Sequence, residues 1–215
     1  TRSSGSVTEV EQIGTANNAD VYQAGRNQEA YAYSSGKYNT VNVDQRGSNQ
    51  NGFVYQQGNL NKATLDQRGN GNTATANQTG LDNAAVIDQD GRGQIAKVDQ
   101  RGGYNQAEVE QQGKYNELSF SQSDVGNILA AHQDGDSNRI TGSSTGVNND
   151  VDIDQDGDQR QPERFLQRGR SGSERPEPHR YGYAERQQPH RRRHAERYRQ
   201  HRVDQPGRSQ QHGNC

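Results

Sequence analysis

The chain has 215 residues, of which 26% are hydrophobic, and its mean hydropathy is −1.37. This is too little apolar surface for the packed core of an ordinary domain of that length. No apolar run approaches the roughly 20 residues that span a bilayer, and the single cysteine, Cys215, excludes an intramolecular disulfide framework. The formal net charge of −2 conceals an acidic region followed by a basic one.

Residues 1–6 form a short N-terminal lead without the pattern that follows. The chain contains no methionine, so we interpret Thr1 as a product of processing, with removal of a secretory signal as the preferred cause. No capping segment is evident in this lead. We therefore expect the first strand of the next region to present an open edge to a partner.

Residues 7–158 repeat a pattern every eleven residues. Stepping by eleven from Gln67 in both directions gives twelve Gln and two Ser, Ser34 and Ser144. So regular a period indicates a repeat architecture and argues against the disorder that composition alone would suggest. The glutamines are Gln12, Gln23, Gln45, Gln56, Gln67, Gln78, Gln89, Gln100, Gln111, Gln122, Gln133 and Gln155.

Two further columns follow each Gln position. Glycine stands two residues later at every step except Asp124, and it predicts a turn because it tolerates backbone angles that other residues resist. A side-chain amide stands three residues after that, supplied by Asn or by Gln28, Gln50 and Gln94. The glycines are Gly14, Gly25, Gly36, Gly47, Gly58, Gly69, Gly80, Gly91, Gly102, Gly113, Gly135, Gly146 and Gly157. The asparagines are Asn17, Asn39, Asn61, Asn72, Asn83, Asn105, Asn116, Asn127, Asn138 and Asn149.

Two apolar columns precede the Gln column, as Ala63 and Leu65 precede Gln67. Alternation of apolar and polar residues over about five positions predicts a short strand with one buried face. One such strand cannot bury its face alone, so two units would form a 22-residue rung, and the fourteen units would form about seven rungs. The sequence therefore predicts an all-β fold: a cross-β solenoid of strand-turn-strand rungs with two facing parallel sheets.

The amide columns have a structural interpretation in such a stack. Gln67 shares the alternation parity of Leu65 and therefore points inward, where an unsatisfied amide is costly. Gln45, Gln67 and Gln89 would lie above one another and bond along the axis, as amides do in cross-β stacks. The asparagines would do the same or close their turns onto the backbone. We interpret both columns as amide ladders; the alternative is that Gln and Asn mark solvated loops.

Outward positions of one sheet carry a column of carboxylates. Stacked like charges repel, so these residues are candidate gatekeepers that restrain premature assembly, with Arg46 and Arg68 offsetting part of the repulsion. A plain solvated face is the alternative. Calcium binding is disfavoured because the repeat differs in period and in acidic positions from calcium-binding β-repeats. The candidate gatekeepers are Asp44, Asp66, Asp88, Glu110 and Asp154.

Residues 159–215 lose the period and form a basic tail that we expect to be disordered. They hold fourteen Arg and six acidic residues, a net charge of +8 with His neutral, against 11 basic and 21 acidic residues in residues 1–158. Candidate partners are anionic outer-membrane lipid, extracellular DNA and the acidic faces of neighbouring fibrils; a solvated tail without a fixed partner is the alternative. The candidate polyanion contacts are Arg191, Arg192, Arg193, Arg197, Arg199 and Arg202.

Catalysis is not expected from this sequence. The repeat region contains one histidine, His132, and no cysteine, and it offers no nucleophile-base-acid set, phosphate loop or metal cluster. In the tail, His190 and His194 have a spacing that could ligate a metal on a helix, but Arg-rich tails often contain stray histidines. We expect no enzyme activity, cofactor or metal. Cys215 is a candidate for an intermolecular disulfide.

The repeat resembles the curlin repeat family, the subunits of bacterial curli. The family's Gln-x-Gly-x-x-Asn-x-Ala string occurs here at residues 56–63 (QQGNLNKA) and 100–107 (QRGGYNQA), among others, and the resemblance covers about residues 7–158. It implies an extracellular functional amyloid of biofilm matrix, secreted through the outer membrane and nucleated on the cell surface. It also implies other curli subunits and the secretion machinery as partners. Seven rungs exceed the five of the best-known members, and the basic tail is not part of the usual major subunit, so bulk-subunit and nucleator roles both stay open.

Sequence reasoning therefore leads to a structural function. The expected function is head-to-tail polymerisation by strand-edge pairing into a secreted, curli-like fibre on the bacterial surface, used for biofilm matrix and adhesion. In this interpretation the tail anchors the chain or nucleates assembly. The alternatives are a monomeric β-solenoid adhesin and a polyanion-binding module whose tail is the functional part. An ice-binding solenoid is disfavoured because Thr64, Thr73 and Thr75 do not recur in a column.

Overall fold

The computed structural model describes residues 5–157 and 163–168, which form fifteen β-strands and no helix. Within these ranges there is accordingly no helix long and apolar enough to cross a membrane. The strands are β1 Val7–Thr15, β2 Asn18–Arg26, β3 Glu29–Lys37, β4 Thr40–Ser48, β5 Asn51–Asn59, β6 Lys62–Asn70, β7 Thr73–Leu81, β8 Ala84–Arg92, β9 Ile95–Gly103, β10 Gln106–Lys114, β11 Glu117–Val125, β12 Ile128–Asp136, β13 Arg139–Val147, β14 Asp150–Asp156 and β15 Glu163–Arg168.

The strands form two parallel sheets. The odd sheet has eight strands in the order β1, β3, β5, β7, β9, β11, β13, β15, and the even sheet has seven, from β2 to β14. From β1 to β14 every residue pairs with the residue 22 positions later, as Gln45 pairs with Gln67 and Gln67 with Gln89. The chain therefore passes from one sheet to the other after each strand. This confirms the predicted solenoid of about seven rungs with two parallel sheets.

The core lies between the sheets and is built from small and branched apolar residues together with amides. Leu65 and Ile87 are fully buried, as are the alanines Ala63 and Ala85 of the neighbouring column, and Gln67 is equally inaccessible. Hydrocarbon and amide thus share the interior. This arrangement explains how a chain with so few apolar residues can fold, because hydrogen-bonded amides fill space that other proteins fill with hydrocarbon.

The strands are longer than the five residues that the alternation predicts. Thirteen of them have nine residues, and Gly69, for example, lies within β6 and pairs with Gly91 of β8. Pairing continues through the glycine because the same bend recurs in every rung, so backbone groups of adjacent rungs stay opposite each other. The glycine therefore bends a strand that stays paired.

Each connection contains two residues with positive φ, of which the sequence pattern revealed only the first. Gly69 has φ of 107°, and Gly71, two residues later, has φ of 75°. In other connections the second position is held by residues as different as Leu60 (61°) and Tyr104 (59°). No residue type marks this position in the sequence, although a left-handed non-glycine residue costs roughly 1–2 kcal/mol. Backbone hydrogen bonds to the rung before hold it, as from Leu60 N to the Lys37 carbonyl at 2.9 Å.

Strand β15 continues the odd sheet beyond the region in which the eleven-residue step holds. It pairs with β13 at a separation of 23 residues, so that Phe165 lies opposite Gly142 and Gln167 opposite Ser144. Phe165 and Gln167 thus occupy an apolar column and the Gln column after a one-residue insertion. The solenoid gains a fifteenth strand that stepping by eleven does not find.

Candidate functional site

The glutamines of the even sheet form one continuous hydrogen-bonded column. Each Nε2 donates to the Oε1 of the Gln one rung further along the chain, at distances between 2.7 and 2.9 Å. From Gln45 onward the side chains are at most 2% exposed. All seven residues predicted for this sheet are therefore brought together. In order they are Gln23, Gln45, Gln67, Gln89, Gln111, Gln133 and Gln155.

The corresponding column of the odd sheet is shorter because serine stands near both of its ends. Ser34 Oγ donates to Gln56 Oε1 at 3.1 Å, and the amides continue from there to Gln122. Ser144 does not bond to the Gln column, because its Oγ donates to Asn127 Oδ1 at 3.3 Å. Gln12 is exposed on β1, opposite Ser34, outside this column of bonds. The sequence-predicted residues in the bonded part are Gln56, Gln78, Gln100 and Gln122.

The same glutamines also tie the two sheets together. Gln67 Nε2 donates to the backbone carbonyl of Asn51 in the odd sheet at 3.1 Å, and Gln78 Nε2 donates to that of Lys62 in the even sheet at 2.8 Å. This contact to the residue 16 positions earlier recurs in rung after rung. Each amide therefore uses both N–H groups, one along the axis and one across the interior, so that the donors of a buried side chain are satisfied.

The asparagines that follow the odd strands form a second type of column. Asn61 Oδ1 accepts from both the backbone N–H and the side-chain Nδ2 of Asn83, each at 3.1 Å. Asn61 Nδ2 donates in turn to the Gly80 carbonyl of the next rung, also at 3.1 Å. One side chain thus closes its own turn and fixes the turn above it. The pattern runs along Asn17, Asn39, Asn61, Asn83, Asn105, Asn127 and Asn149.

The connections that follow the even strands hold a mixed amide column. It contains Asn72, Asn116 and Asn138, all buried. Gln28, Gln50 and Gln94 are equally buried, although ladder bonds are predicted from the sequence only for the asparagines. The signal was available, because the amide column itself includes them. The mixture of Gln and Asn in one column leaves acceptors unpaired, since Oε1 of Gln28 and of Gln94 is buried without a hydrogen-bond partner.

The glycine column allows the rungs to approach. A Cβ added to Gly69 would lie 1.9 Å from the Gly91 carbonyl oxygen, and one added to Gly47 would lie 2.0 Å from the Gly69 oxygen. Every column glycine from Gly14 to Gly113 shows a conflict of this kind, with a neighbouring oxygen at 1.7 to 2.1 Å. Asp124 is the exception in residue type, and its φ falls to 76°. At the far end, a Cβ added to Gly157 would meet nothing within 4 Å.

The candidate gatekeepers lie in one outward column of the even sheet. Asp44 and Asp66 form ion pairs with Arg46 and Arg68, two residues along their own strands. Burial raises the pKa of Asp88 above its ordinary value; Asp66 and Glu110 raise it further, whereas Arg68 lowers it. Arginine thus pairs with the carboxylates at the N-terminal end of the column, whereas Asp90, an acidic residue, stands two residues after Asp88.

The end of the gatekeeper column departs from the predicted pattern. His132 stands between Glu110 and Asp154, with its Nδ1 3.5 Å from a Glu110 carboxylate oxygen. Asp154 is exposed on β14, the last strand of the even sheet. The histidine separates Asp154 from the other four carboxylates, so five residues of one column do not form one uninterrupted set.

Sequence reasoning missed an aromatic pair on the opposite face. Tyr33 and Tyr55, on β3 and β5 of the odd sheet, stack with ring centroids 4.7 Å apart and an interplanar angle of 7°. The separation equals the spacing between strands, about 4.8 Å. The signal in the sequence was the 22-residue spacing of two tyrosines at an outward position.

Other predicted sites fall outside the part of the chain that the structure describes. These are Arg191, Arg192, Arg193, Arg197, Arg199 and Arg202, as well as His190, His194 and Cys215. Among the described residues, no group of three or more His, Cys, Asp or Glu is arranged to hold a metal ion. The described site is thus a set of stacked side chains that ends in open strand edges.

The amide columns give these edges a direction. Along the even sheet each Gln donates toward the C-terminal rungs. Within the described residues, Gln155 Nε2 has only the Arg139 carbonyl as a partner, at 3.4 Å, so its axial donor is open. At the other end, β1 is exposed along its whole length, including Val10 of an apolar column at 45%. The two ends are therefore different.

Comparison with known proteins agrees with this architecture. The curlin associated repeat family matches residues 14–47, 36–67 and 61–91. A search of curated proteins finds no match. The family is a structural, non-enzymatic one, and its proteins are extracellular curli subunits. Residues 14–91 of this chain, with their stacked Gln, Gly and Asn columns, are thus similar to the curlin associated repeat family.

Proposed function

We propose that this chain is a structural subunit of a secreted, curli-like amyloid fibre that serves biofilm matrix and surface adhesion. Copies add head to tail, the C-terminal edge of one solenoid pairing with the N-terminal edge of the next. The observation that carries the proposal is the pair of unlike ends, one with an open Gln155 donor and one with an exposed β1. An arrangement of this kind does not close on itself and so extends as a filament.

The exposed N-terminal edge supports this function energetically. Val10 of β1 is 45% exposed, whereas Val54 and Val98, deeper in the same column of the same sheet, are fully buried. Covering β1 with another strand would remove this apolar surface from water and pair its backbone groups. The rest of the proposal is secretion, an extracellular location, and other curli subunits and the secretion machinery as partners; the resemblance to the curlin repeat family supports it.

The first experiment is an assembly assay. The chain is purified under denaturant and diluted, and thioflavin T fluorescence is followed, with electron microscopy of the endpoint. We expect unbranched fibrils after a lag that preformed seeds shorten. A stable, monodisperse, β-rich monomer would overturn the proposal and favour a monomeric solenoid adhesin.

A second candidate function rests on the division of charge. Residues 159–215 carry a net charge of +8 beside an acidic repeat region, which favours a polyanion-binding tail that anchors the fibre or is itself the functional part. Removal of residues 170–215, which leaves β15 in place, is expected to preserve fibre formation. It should reduce retention on double-stranded DNA and on anionic vesicles several-fold at low salt. Equal retention of the truncated and full chains would contradict a role for the tail.

A further inference from the structure

The two sheets of the solenoid end at different heights. The odd sheet has eight strands and the even sheet seven, because β15 stacks on β13 while nothing in the described residues stacks on β14. At the N-terminal end each sheet begins with one strand of the same rung, β1 and β2. The C-terminal end is therefore a step one strand high, with the lower level in the even sheet.

We propose that successive copies in the fibre are rotated by half a turn about the fibre axis, so that the odd sheet of one copy continues as the even sheet of the next. This inference rests on the head-to-tail assembly proposed above. It follows from the path of the chain, which alternates between the sheets at every strand. After fifteen strands, the next position along that path lies on β14, in the even sheet. The first strand of the incoming copy, its β1, takes that position, and its β2 then lies on β15.

Strand direction is preserved by this rotation. Even strands run opposite to odd strands because the chain reverses at each connection. Rotation by half a turn reverses the direction of β1, so that it runs parallel to β14. Every contact at the junction is then a parallel pair, the only kind that the described sheets contain.

The repeat columns align at this junction. With β1 on β14 in the register of the other pairs, Gln12 lies on Gln155 and Gly14 lies on Gly157. The open Gln155 donor then meets the next amide, and the surroundings of Gly157, which are empty within 4 Å of an added Cβ, receive a glycine carbonyl as at every other rung. With β2 on β15, Gln23 lies on Gln167. The register of the Gln and Gly columns thus continues across the junction.

An unrotated copy would leave a gap. Its β1 would lie on β15, and its β2 would be held two strand spacings above β14, about 10 Å away. The backbone groups that line this gap, on β14 and on β2, would have no partner. The sequence after Gly169 does not offer a further repeat for this position, since the apolar, Gln and Gly columns do not recur there and prolines stand at 176 and 178.

Side-chain charge opposes the rotated arrangement but is the smaller effect. Rotation places Glu9 and Glu11 of the incoming copy on Asp152 and Asp154, so two like-charged pairs form. An unrotated copy would place Glu9 opposite Arg164. Stacked carboxylates already occur within the solenoid, as in the pair Asp66 and Asp88. Each like-charged pair costs much less than the loss of a strand's worth of backbone hydrogen bonds. Backbone pairing therefore decides the arrangement.

Electron cryomicroscopy of fibres tests the proposal directly. For the full chain we expect a rotation near 180° per molecule, apart from the solenoid's own twist, with a rise of about 36 Å and a structural repeat of about 72 Å. Deletion of residues 73–83 removes one strand, so the rotation should fall to near 0°, with a rise of about 34 Å. Deletion of residues 62–83 removes two strands and should restore the half turn, with a rise of about 31 Å. Both deletions join the columns in phase.

Disulfide trapping in the full chain gives an independent readout. In a Cys215→Ser background, Glu9→Cys with Asp152→Cys should cross-link successive molecules in oxidised fibres, because parallel neighbours lie within disulfide range. Glu9→Cys with Arg164→Cys should not. The reverse result, or fibres of the full chain with a rotation near 0°, would overturn the half-turn arrangement while leaving head-to-tail assembly intact. Failure of the full chain to form any fibre would instead refute the proposed function.

Discussion

At the scale of single residues, the buried glutamine is the unit on which the stack depends. Gln67 accepts from Gln45, donates to Gln89 and donates to the Asn51 carbonyl, all without contact with water. Its removal would leave three partners unsatisfied and a cavity beside Leu65. Each buried group left without a partner costs about 1–3 kcal/mol, so removal of this one side chain would strongly destabilise the folded stack.

The first prediction concerns this column. We expect the combined change Gln45→Ala, Gln67→Ala and Gln89→Ala to lengthen the thioflavin T lag at least several-fold, because each loss costs roughly 2–4 kcal/mol in a rung that must form during assembly. The matched control replaces the exposed Gln57, Gln106 and Gln112 with Ala. Unchanged kinetics in the interior variant would count against the ladder.

A second prediction concerns the mixed amide column. Gln94 Oε1 is buried without a partner, while the shorter Asn72 beneath it accepts from the Gln94 N–H at 3.1 Å. Gln94→Asn would place its oxygen in the same way beneath Asn116. We expect the variant to be more stable by about 1 kcal/mol, measured by urea unfolding of freshly diluted monomer. Asn72→Gln serves as the reverse control and should destabilise; loss of stability in Gln94→Asn would contradict the explanation.

At the scale of strands and connections, two glycines of one turn show two separate requirements, which are space for a neighbouring backbone atom and a positive φ. Gly69 and Gly71 both have positive φ, but only Gly69 is approached by a backbone atom, the Gly91 oxygen. A Cβ on Gly71 would lie 4.0 Å from its nearest neighbour, Gly93 N. The first glycine is thus required by space and by backbone angle, and the second by backbone angle alone.

The third prediction uses this matched pair. Gly71→Ala should cost about 1 kcal/mol, the strain of a left-handed alanine, and the protein should fold and assemble. Gly69→Ala should cost at least 2–3 kcal/mol more, because the rungs must separate to accommodate the methyl group. Melting temperatures from circular dichroism would compare the two, and equal losses would refute the close-approach argument.

At the scale of the whole molecule, charge is spread along the axis in a way that opposes the stacking. The Asp88 carboxylate is half-buried among acidic neighbours, and its pKa is raised, first by burial and then by Asp66. Its folded-state pKa is therefore above its unfolded value. The folded form binds the proton more tightly, so stability is lowest above the raised pKa and increases as pH falls from there toward the unfolded value.

The fourth prediction follows from this sign. Assembly should be faster near pH 4.5 than at pH 7, and Asp88→Asn should accelerate it at pH 7 and reduce the pH dependence, with a gain of a few tenths of a kcal/mol. Glu29→Gln, at an exposed position of the odd sheet, is the control for removing one charge. Slower assembly of Asp88→Asn at pH 7 would exclude a gatekeeper role.

Much of this architecture could be predicted because the two-residue alternation of strand side chains and the eleven-residue repeat mark the same inward positions. Side chains alternate with a period of two, and the spacing of eleven places Leu65 and Gln67 at equivalent inward positions in every unit. The direction of the amide columns could not be read from the sequence, since a column of Gln residues is the same whichever way its N–H groups point. Strand β15 was missed because one extra residue between β14 and β15 displaces Phe165 and Gln167 from the step of eleven.

The covalent connections between rungs have a mechanical consequence. Inside one solenoid the chain itself crosses every boundary between neighbouring rungs, so a pull along the axis is resisted by peptide bonds as well as by hydrogen bonds. Between two molecules only hydrogen bonds and packing resist it. A fibre of such subunits breaks at its joints, into pieces that contain whole molecules. Each fracture creates one N-terminal end and one C-terminal end, and damage therefore multiplies the growing tips of the material.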